Sequence, residues 1–332
     1  MKLQLRYYKQ LGILLFAILL ITSCKKDEVA TGHDNNRVNL VIADNFNLSS
    51  FSAVLRKSGL DKVVQNGEGP YTLLAPSDAA FSTAGYTDAV AVLAGNTKLI
   101  SRIANYHTLD GKYELNKLPF LFNQELQTRG GKIYATHWIK GPDTVLTLNG
   151  SRVLAQNIAA SNGLIQVLDR VLTPYVHDLV GNAIAADPSI TLFAQALKTS
   201  GVLQTISDAG PYTVFAPNNA AMQALGYSTV QQIQLADPAK LRSFLLYHIV
   251  KDRRFVYDYI LSTGVSNMAQ QGMMDGNSVT IKLVPNSNST TSFQSISLRG
   301  IGNTSDIKLL KQDMLSGNGV LHVIDAGLRI TQ

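Results

Sequence analysis

Few residues in this chain have both the type and the recurrence to do chemistry. Two predicted helices end on a tyrosine–histidine pair, Tyr106-His107 and Tyr247-His248. Imidazole is the side chain whose unperturbed pKa suits proton transfer near neutrality, and it is a common metal ligand. Ile100, Ile103, Ala104 and His107 stand at i, i+3, i+4 and i+7, and Leu241, Phe244, Leu245 and His248 repeat the spacing. Each histidine therefore falls on the apolar stripe of its helix. That position admits a base or a metal ligand. It suits better a core histidine bonded to backbone groups beside the helix end, because no acid or cysteine recurs nearby in both copies.

The other candidates are thinner. His33, His137, His177 and His322 are scattered, no His-Glu-x-x-His cluster exists, and no metal or other cofactor is expected. His322 falls opposite Gln166 when the copies are aligned, so it is not shared chemistry. There is no Gly-x-Ser-x-Gly elbow, and Gly300-Ile301-Gly302 is not followed by a phosphate-loop helix. Asp169 and Asp325 recur on the last strand, where turn pairing suits them better than ligand contact. The sole tryptophan, Trp138, is either a platform for a sugar ring or a core or interdomain residue. No catalytic residue set emerges, and a non-enzymatic protein is expected.

The elements that must position these residues come from a duplication. Pro70–Phe81 reads Pro-Tyr-Thr-Leu-Leu-Ala-Pro-Ser-Asp-Ala-Ala-Phe, and Pro211–Met222 reads Pro-Tyr-Thr-Val-Phe-Ala-Pro-Asn-Asn-Ala-Ala-Met. Each predicts a buried strand, stopped by Pro76 or Pro217 and followed by a helix with Ser77 or Asn218 as N-cap. Tyr71 maps to Tyr212 and His107 to His248 at an offset of 141, Phe51 to Phe193 at 142, and Asn162-Gly163 to Asn318-Gly319 at 156. A period this long means duplicated domains. The second copy is longer by about 15 residues between its His and its Asn-Gly, and Asn286–Ser292 is the clearest loop in that insertion. Each copy opens with a helix closed by Gly59 or Gly201 and ends in a β-rich half, which predicts an α+β class. The short junction after Thr173-Pro174 predicts stacked or semi-rigid domains.

The N-terminus reads differently. Lys2, Arg6 and Lys9 precede an apolar run from Leu11 to Ile21, too short for the roughly 20 residues of a membrane span. Residues 1–23 are therefore expected to be a signal peptide. The run ends Ile21-Thr22-Ser23-Cys24, which resembles the bacterial lipobox. That resemblance implies cleavage before Cys24, a diacylglyceryl thioether on its sulfur and N-acylation of the palmitate type. Cys24 is the only cysteine, so no disulfide is expected. Removing Lys2, Arg6 and Lys9 lowers the formal charge from +6 to +3, with scattered basic residues, and nucleic acid is not an expected partner. Residues 24–36 read as a lipidated tether. Lys25-Lys26-Asp27-Glu28 resembles the surface-export signal of Bacteroidetes lipoproteins.

The strand-Pro-helix stretch, the Tyr-His pair and the closing Asn-Gly strand, each occurring twice, resemble fasciclin-type FAS1 domains, here 37–174 and 175–332. The resemblance implies two β-wedge sandwich domains, each with a helical layer. It also implies extracellular adhesion, or matrix and polysaccharide binding, with Tyr106, His107, Tyr247, His248 and Trp138 as candidate partner contacts. The expected localisation is the cell envelope, at the outer membrane and surface-exposed. An envelope glycan or small-ligand binder tied to nutrient capture is the other expectation.

Overall fold

A computed structural model describes residues 34–286 and 292–331. The lipobox and Cys24 lie outside the described residues, as do residues 287–291. Residues 36–332 form one compact unit.

Domain 1 begins with helices α1 (Val38–Ala43), α2 (Ser49–Ser58) and α3 (Leu60–Asn66). Strand β1 (Tyr71–Pro76) follows, then α4 (Asp78–Thr83), α5 (Ala89–Ala94) and α6 (Thr97–Tyr106). The β-rich half holds β2 (Thr108–Asp110), β3 (Gln124–Thr128), β4 (Gly131–Lys140), β5 (Asp143–Leu148), β6 (Ser151–Ala160) and β7 (Gly163–Leu168). Domain 2 repeats the plan with α7 (Val180–Ala186), α8 (Thr191–Thr199), α9 (Val202–Thr205), β8 (Tyr212–Pro217), α10 (Asn219–Ala224), α11 (Val230–Leu235), α12 (Pro238–Leu246) and β9 (Ile249–Val250). One added helix, α13 (Val256–Ser262), precedes β10 (Met268–Gly272), β11 (Ser278–Pro285), β12 (Phe293–Arg299), β13 (Ile307–Ser316) and β14 (Gly319–Ile324).

Each domain has a seven-stranded sheet, ordered β2-β1-β7-β6-β5-β4-β3 and β10-β11-β12-β13-β14-β8-β9. The strand of the opening motif lies second from one end of each sheet, inside a short edge strand. β1 pairs parallel with β7, and β8 parallel with β14, while all other pairs are antiparallel. All six residues of β1 and of β8 are buried, with helices packed on one face of the sheet and the β-rich wedge on the other. Pro76 and Pro217 are the last residues of their strands. Ser77 then caps α4 by accepting from the Ala80 N–H at 3.2 Å, and Asn218 caps α10 from Ala221 at 2.7 Å. Gly59 and Gly201 take left-handed φ of 75° and 72° where α2 and α8 stop.

The Asn-Gly pair explains why the parallel ladder starts where it does. The Asn162 side chain accepts from the Val38 N–H at 2.9 Å and donates to the Val64 carbonyl at 2.7 Å, while its own carbonyl accepts from Tyr71 at 2.9 Å. Asn318 does the same with Val180, Ile206, Asp208 and Tyr212. One asparagine thus ties two helices to the strand of the opening motif. The next residue must lack a side chain, because a Cβ on Gly163 would sit 2.1 Å from the Tyr71 carbonyl oxygen. Asn162→Ala leaves a buried N–H and a buried carbonyl without partners. The expected loss is about 2–4 kcal/mol of domain 1 stability, read as a lower urea midpoint.

The last strands end at Leu168 and Ile324. The ladder stops where Asp169 accepts from Ser151 Oγ and the Arg152 N–H, and where Asp325 accepts from the Lys308 N–H. The second copy's extra residues do not form one insertion. They are distributed over α13 and the loops 273–277, 286–292 and 300–306. The segment from Val176 becomes helical only at Val180.

A bulge recurs as well. Asn157 in β6 and Asp313 in β13 have φ of 54° and 58°, at matching register shifts. The Asn157 N–H donates to Gln166 Oε1 at 3.0 Å, and the Asp313 N–H to His322 Nδ1 at 3.2 Å. Gln166 lies opposite Leu74 and His322 opposite Phe215, as the aligned repeats require.

Candidate functional site

Both Tyr-His pairs are internal. His107 and His248 are fully buried, each at the C-terminal end of its helix. His107 Nε2 accepts from the Leu172 N–H at 3.0 Å, so Nδ1 carries the proton and donates to the Ile103 carbonyl at 2.8 Å. His248 accepts from Leu328 at 2.9 Å and donates to Phe244 at 2.8 Å. Phe51 packs on one ring and Phe193 on the other, with centroids 5.9 and 6.0 Å apart. Burial lowers both imidazoles from 6.5 to about 4. They are neutral clamps that hold the segment after the last strand onto the helix end.

The tyrosines turn the other way, toward the wedge. Tyr106 Oη donates to the Lys132 carbonyl at 2.8 Å and accepts from Asn149 Nδ2, and Tyr247 Oη donates to Ser278 and accepts from the Ile301 N–H. Burial raises both phenols. The four residues therefore offer no ring atom to solvent in either domain.

The polar chemistry that the sequence did not show lies between the domains. Helix α13 lies against β4 of domain 1. The fully buried Asp258 carboxylate accepts from Thr136 Oγ1 at 2.8 Å, from Asn123 Nδ2 at 3.1 Å and from the Phe255 N–H at 2.9 Å. Burial pushes its pKa up to about 6, against the lowering effect of those bonds. Arg253 lies 3.8 Å from the Tyr134 ring centroid and donates to the carbonyls of Ser316, Gly317 and Gly319. Arg170 bonds Asp313 at 2.9 Å across the same seam. Tyr134, Phe255 and Val320 form a small apolar cluster there. A lone carboxylate inside the run Phe255-Val256-Tyr257-Asp258-Tyr259-Ile260 was the available signal.

Trp138 sits at the edge of this seam, partly exposed and 4.6 Å from Phe122, over which Arg254 lies at 5.2 Å. His322 is buried, stacked on Phe215 at 5.2 Å, and its Nε2–H donates to the Arg254 carbonyl. A cleft of about 600 Å³ opens where the interdomain segment meets β13. It is walled by Val176, Met314 and Leu315 and by two ion pairs, Arg170–Asp313 and Lys311–Asp187. Among the described residues, no three His, Cys, Asp or Glu side chains gather as metal ligands would.

The Fasciclin domain family matches residues 46–174 and 188–329. Human Periostin is 26% identical over 266 residues, covering 78% of this chain and 28% of Periostin. Transforming growth factor-beta-induced protein ig-h3 of Sus scrofa is 27% identical over 187 residues, covering 56% of this chain and 26% of that protein. The Synechocystis protein sll1483 is 28% identical over 136 residues, 40% of this chain and 71% of its own length. The chain thus spans about a quarter of the length of the two animal relatives. A solved FAS1 domain pair from the insect cell adhesion molecule Fasciclin I aligns over 84% of this chain and 95% of its own, with TM-score 0.42 and 20% identity. With both family matches falling on the two repeated sheets, the chain belongs to the fasciclin-domain family.

Proposed function

We propose that this chain is a non-enzymatic adhesion or binding lipoprotein of the cell envelope, anchored through Cys24. Membership of the fasciclin-domain family supports the adhesive role. The observation that carries the absence of bond-making is the buried state of both recurring histidines, whose ring nitrogens are all engaged with backbone groups. Recognition then falls to the joint surface of two domains held as one body, with weak contacts summed over many copies on a membrane. The proposed partner is an extracellular protein or a polysaccharide.

A second reading, an envelope glycan or small-ligand binder, draws on the interdomain cleft. Its size and mixed lining suit a small ligand. Two measurements separate the readings. Protease shaving of intact cells is expected to remove the chain from the surface, and protection would sink adhesion. A glycan and matrix array on residues 36–332 is expected to show immobilised matrix or cell-surface binding. One soluble glycan, competing with nothing else and lost in Lys311→Ala, would favour the cleft.

A further inference from the structure

Among the described residues, the Asp258 carboxylate in the domain seam is bonded by no cation. It accepts from the Phe255 N–H at its own helix start and from two groups of domain 1, Thr136 Oγ1 on β4 and Asn123 Nδ2 just before β3. The charged groups around it are engaged elsewhere. Arg253 stacks on Tyr134 and donates to three carbonyls of domain 2. Arg254 bonds Asp252 at 2.8 Å and favours the ionised form of Asp258 from a distance. Arg152 pairs with Asp169, Arg170 with Asp313, and Lys132 with Glu125. Lys140 donates to the Thr263 carbonyl at the far end of α13. From β11 and β12 come Lys282 and Arg299, both held by Asp306. His322 of β14 is buried with its Nε2–H on the Arg254 carbonyl, and His137 of β4 turns to the opposite face, onto Phe120 and the Leu118 carbonyl. The phenols of Tyr134, Tyr257 and Tyr259 are raised by burial and stay neutral.

An unsatisfied hydroxyl stands beside this carboxylate. Thr147 of β5 pairs in register with Thr136 of β4, so both side chains leave the sheet on one face, with β-carbons about 5 Å apart. Thr147 is 1% exposed, and its Oγ1 has no hydrogen-bond partner. The single proton of Thr136 Oγ1 goes to Asp258 Oδ1 at 2.8 Å, while the same oxygen accepts from the Asn123 N–H at 3.1 Å. With Asp258 ionised, Thr136 has no proton left for Thr147. Taking one proton from water reverses a bond. The acid O–H then donates to Thr136 Oγ1, whose own hydroxyl turns to Thr147 Oγ1. Oδ2 of the neutral acid keeps its bonds from Phe255 and Asn123, and the row is satisfied throughout.

We propose that Asp258, Thr136 and Thr147 form a proton-operated latch between the two domains, one that closes more tightly when Asp258 is protonated. Burial in the closed seam raises Asp258 from 3.8 to about 6, and parting the domains returns it to water. The closed state therefore takes the proton more readily, and closure strengthens as pH falls through 6. Between pH 7.5 and pH 5 the closing equilibrium gains about tenfold. The latch acts between the domains, whereas the rings of His107 and His248 lie inside them.

The test is amide hydrogen exchange on residues 36–332, which form one compact unit, at pH 7.5 and pH 5 with intrinsic rates divided out. Gly131–Lys140 and Val256–Ser262 report the seam, and β1 and β8 report the cores. Seam protection in the wild type is expected to rise about tenfold in acid relative to Asp258→Asn. The asparagine amide donates to Thr136 as the neutral acid does, so that variant is closed at both pH values. Both proteins keep His107 and His248, and acid weakening of the cores cancels in the comparison. Thr147→Val removes the last acceptor at nearly constant shape and should cut the rise to about threefold or less. Trp138, at the edge of the seam, gives a second reading: its quenching by acrylamide should fall in acid in the wild type and not in Asp258→Asn. An equal pH response in wild type and Asp258→Asn overturns the proposal, as does a full rise in Thr147→Val. Seam segments that exchange no faster than β1 and β8 show no separate opening and overturn it too. Should Asp258→Asn fail to fold, Thr147→Val against the wild type decides on the same reading.

Discussion

His107→Ala and His248→Ala should each lower the stability of their own domain by about 3–5 kcal/mol, read as a shifted urea midpoint. The magnitude has two sources. Removing a fully buried ring leaves a cavity against Phe51 or Phe193. It also leaves two buried backbone groups without partners, Leu172 N–H and Ile103 carbonyl in domain 1, Leu328 N–H and Phe244 carbonyl in domain 2. A glutamine cannot bridge the same two groups from one rigid ring, so His→Gln should recover little. A loss below about 1 kcal/mol would show that the ring is not the clamp described above.

Acid should destabilise the protein through the same two rings. Their folded pKa is lowered from 6.5 to about 4 by burial, so between those values the unfolded chain binds protons that the native chain does not. Stability is then full above about pH 6.5 and falls as pH drops toward 4. A shift of that size corresponds to about 3 kcal/mol for each ring. His322 is lowered in the same direction by burial. Asp258 opposes them. Its folded pKa is raised from 3.8 to about 6, so the native state gains a proton first on acidification and recovers about 3 kcal/mol between those values. Two histidines against one aspartate leave a net acid loss. Urea midpoints near pH 7 and pH 4.5 measure it, and Asp258→Asn should make the fall steeper. A midpoint that rises on acidification would contradict the sign.

What the sequence reveals here follows from repetition and local chemistry. The Pro-ended strand, the capped helix, the Tyr-His helix end and the Asn-Gly corner each use neighbours within a few residues, and each appears twice. The edge strands were hidden because Gln124–Thr128 and Met268–Gly272 are polar and short. Helix α13 was hidden because Val256-Tyr257-Asp258-Tyr259-Ile260 has the composition of a strand, and its helix is held by packing against β4 and β12 and by the Asp258 carboxylate on the Phe255 N–H. The seam was hidden more deeply. Arg253 on Tyr134 and Asp258 on Thr136 join residues over a hundred positions apart, and no period in the chain connects them.

The unequal seam decides how far the repeat could extend. Ala135 faces Leu148 as Ile281 faces Leu298, so Tyr134, Thr136 and Trp138 correspond to Thr280, Lys282 and Val284. Arg170 corresponds to Ala326. The second domain therefore supplies a plug but lacks the matching socket, and its Lys282, held by Asp306, stands where Thr136 would be needed. A head-to-tail contact that one copy makes and the other cannot receive terminates after a single step. Copies of this chain therefore have no route through this contact into fibres.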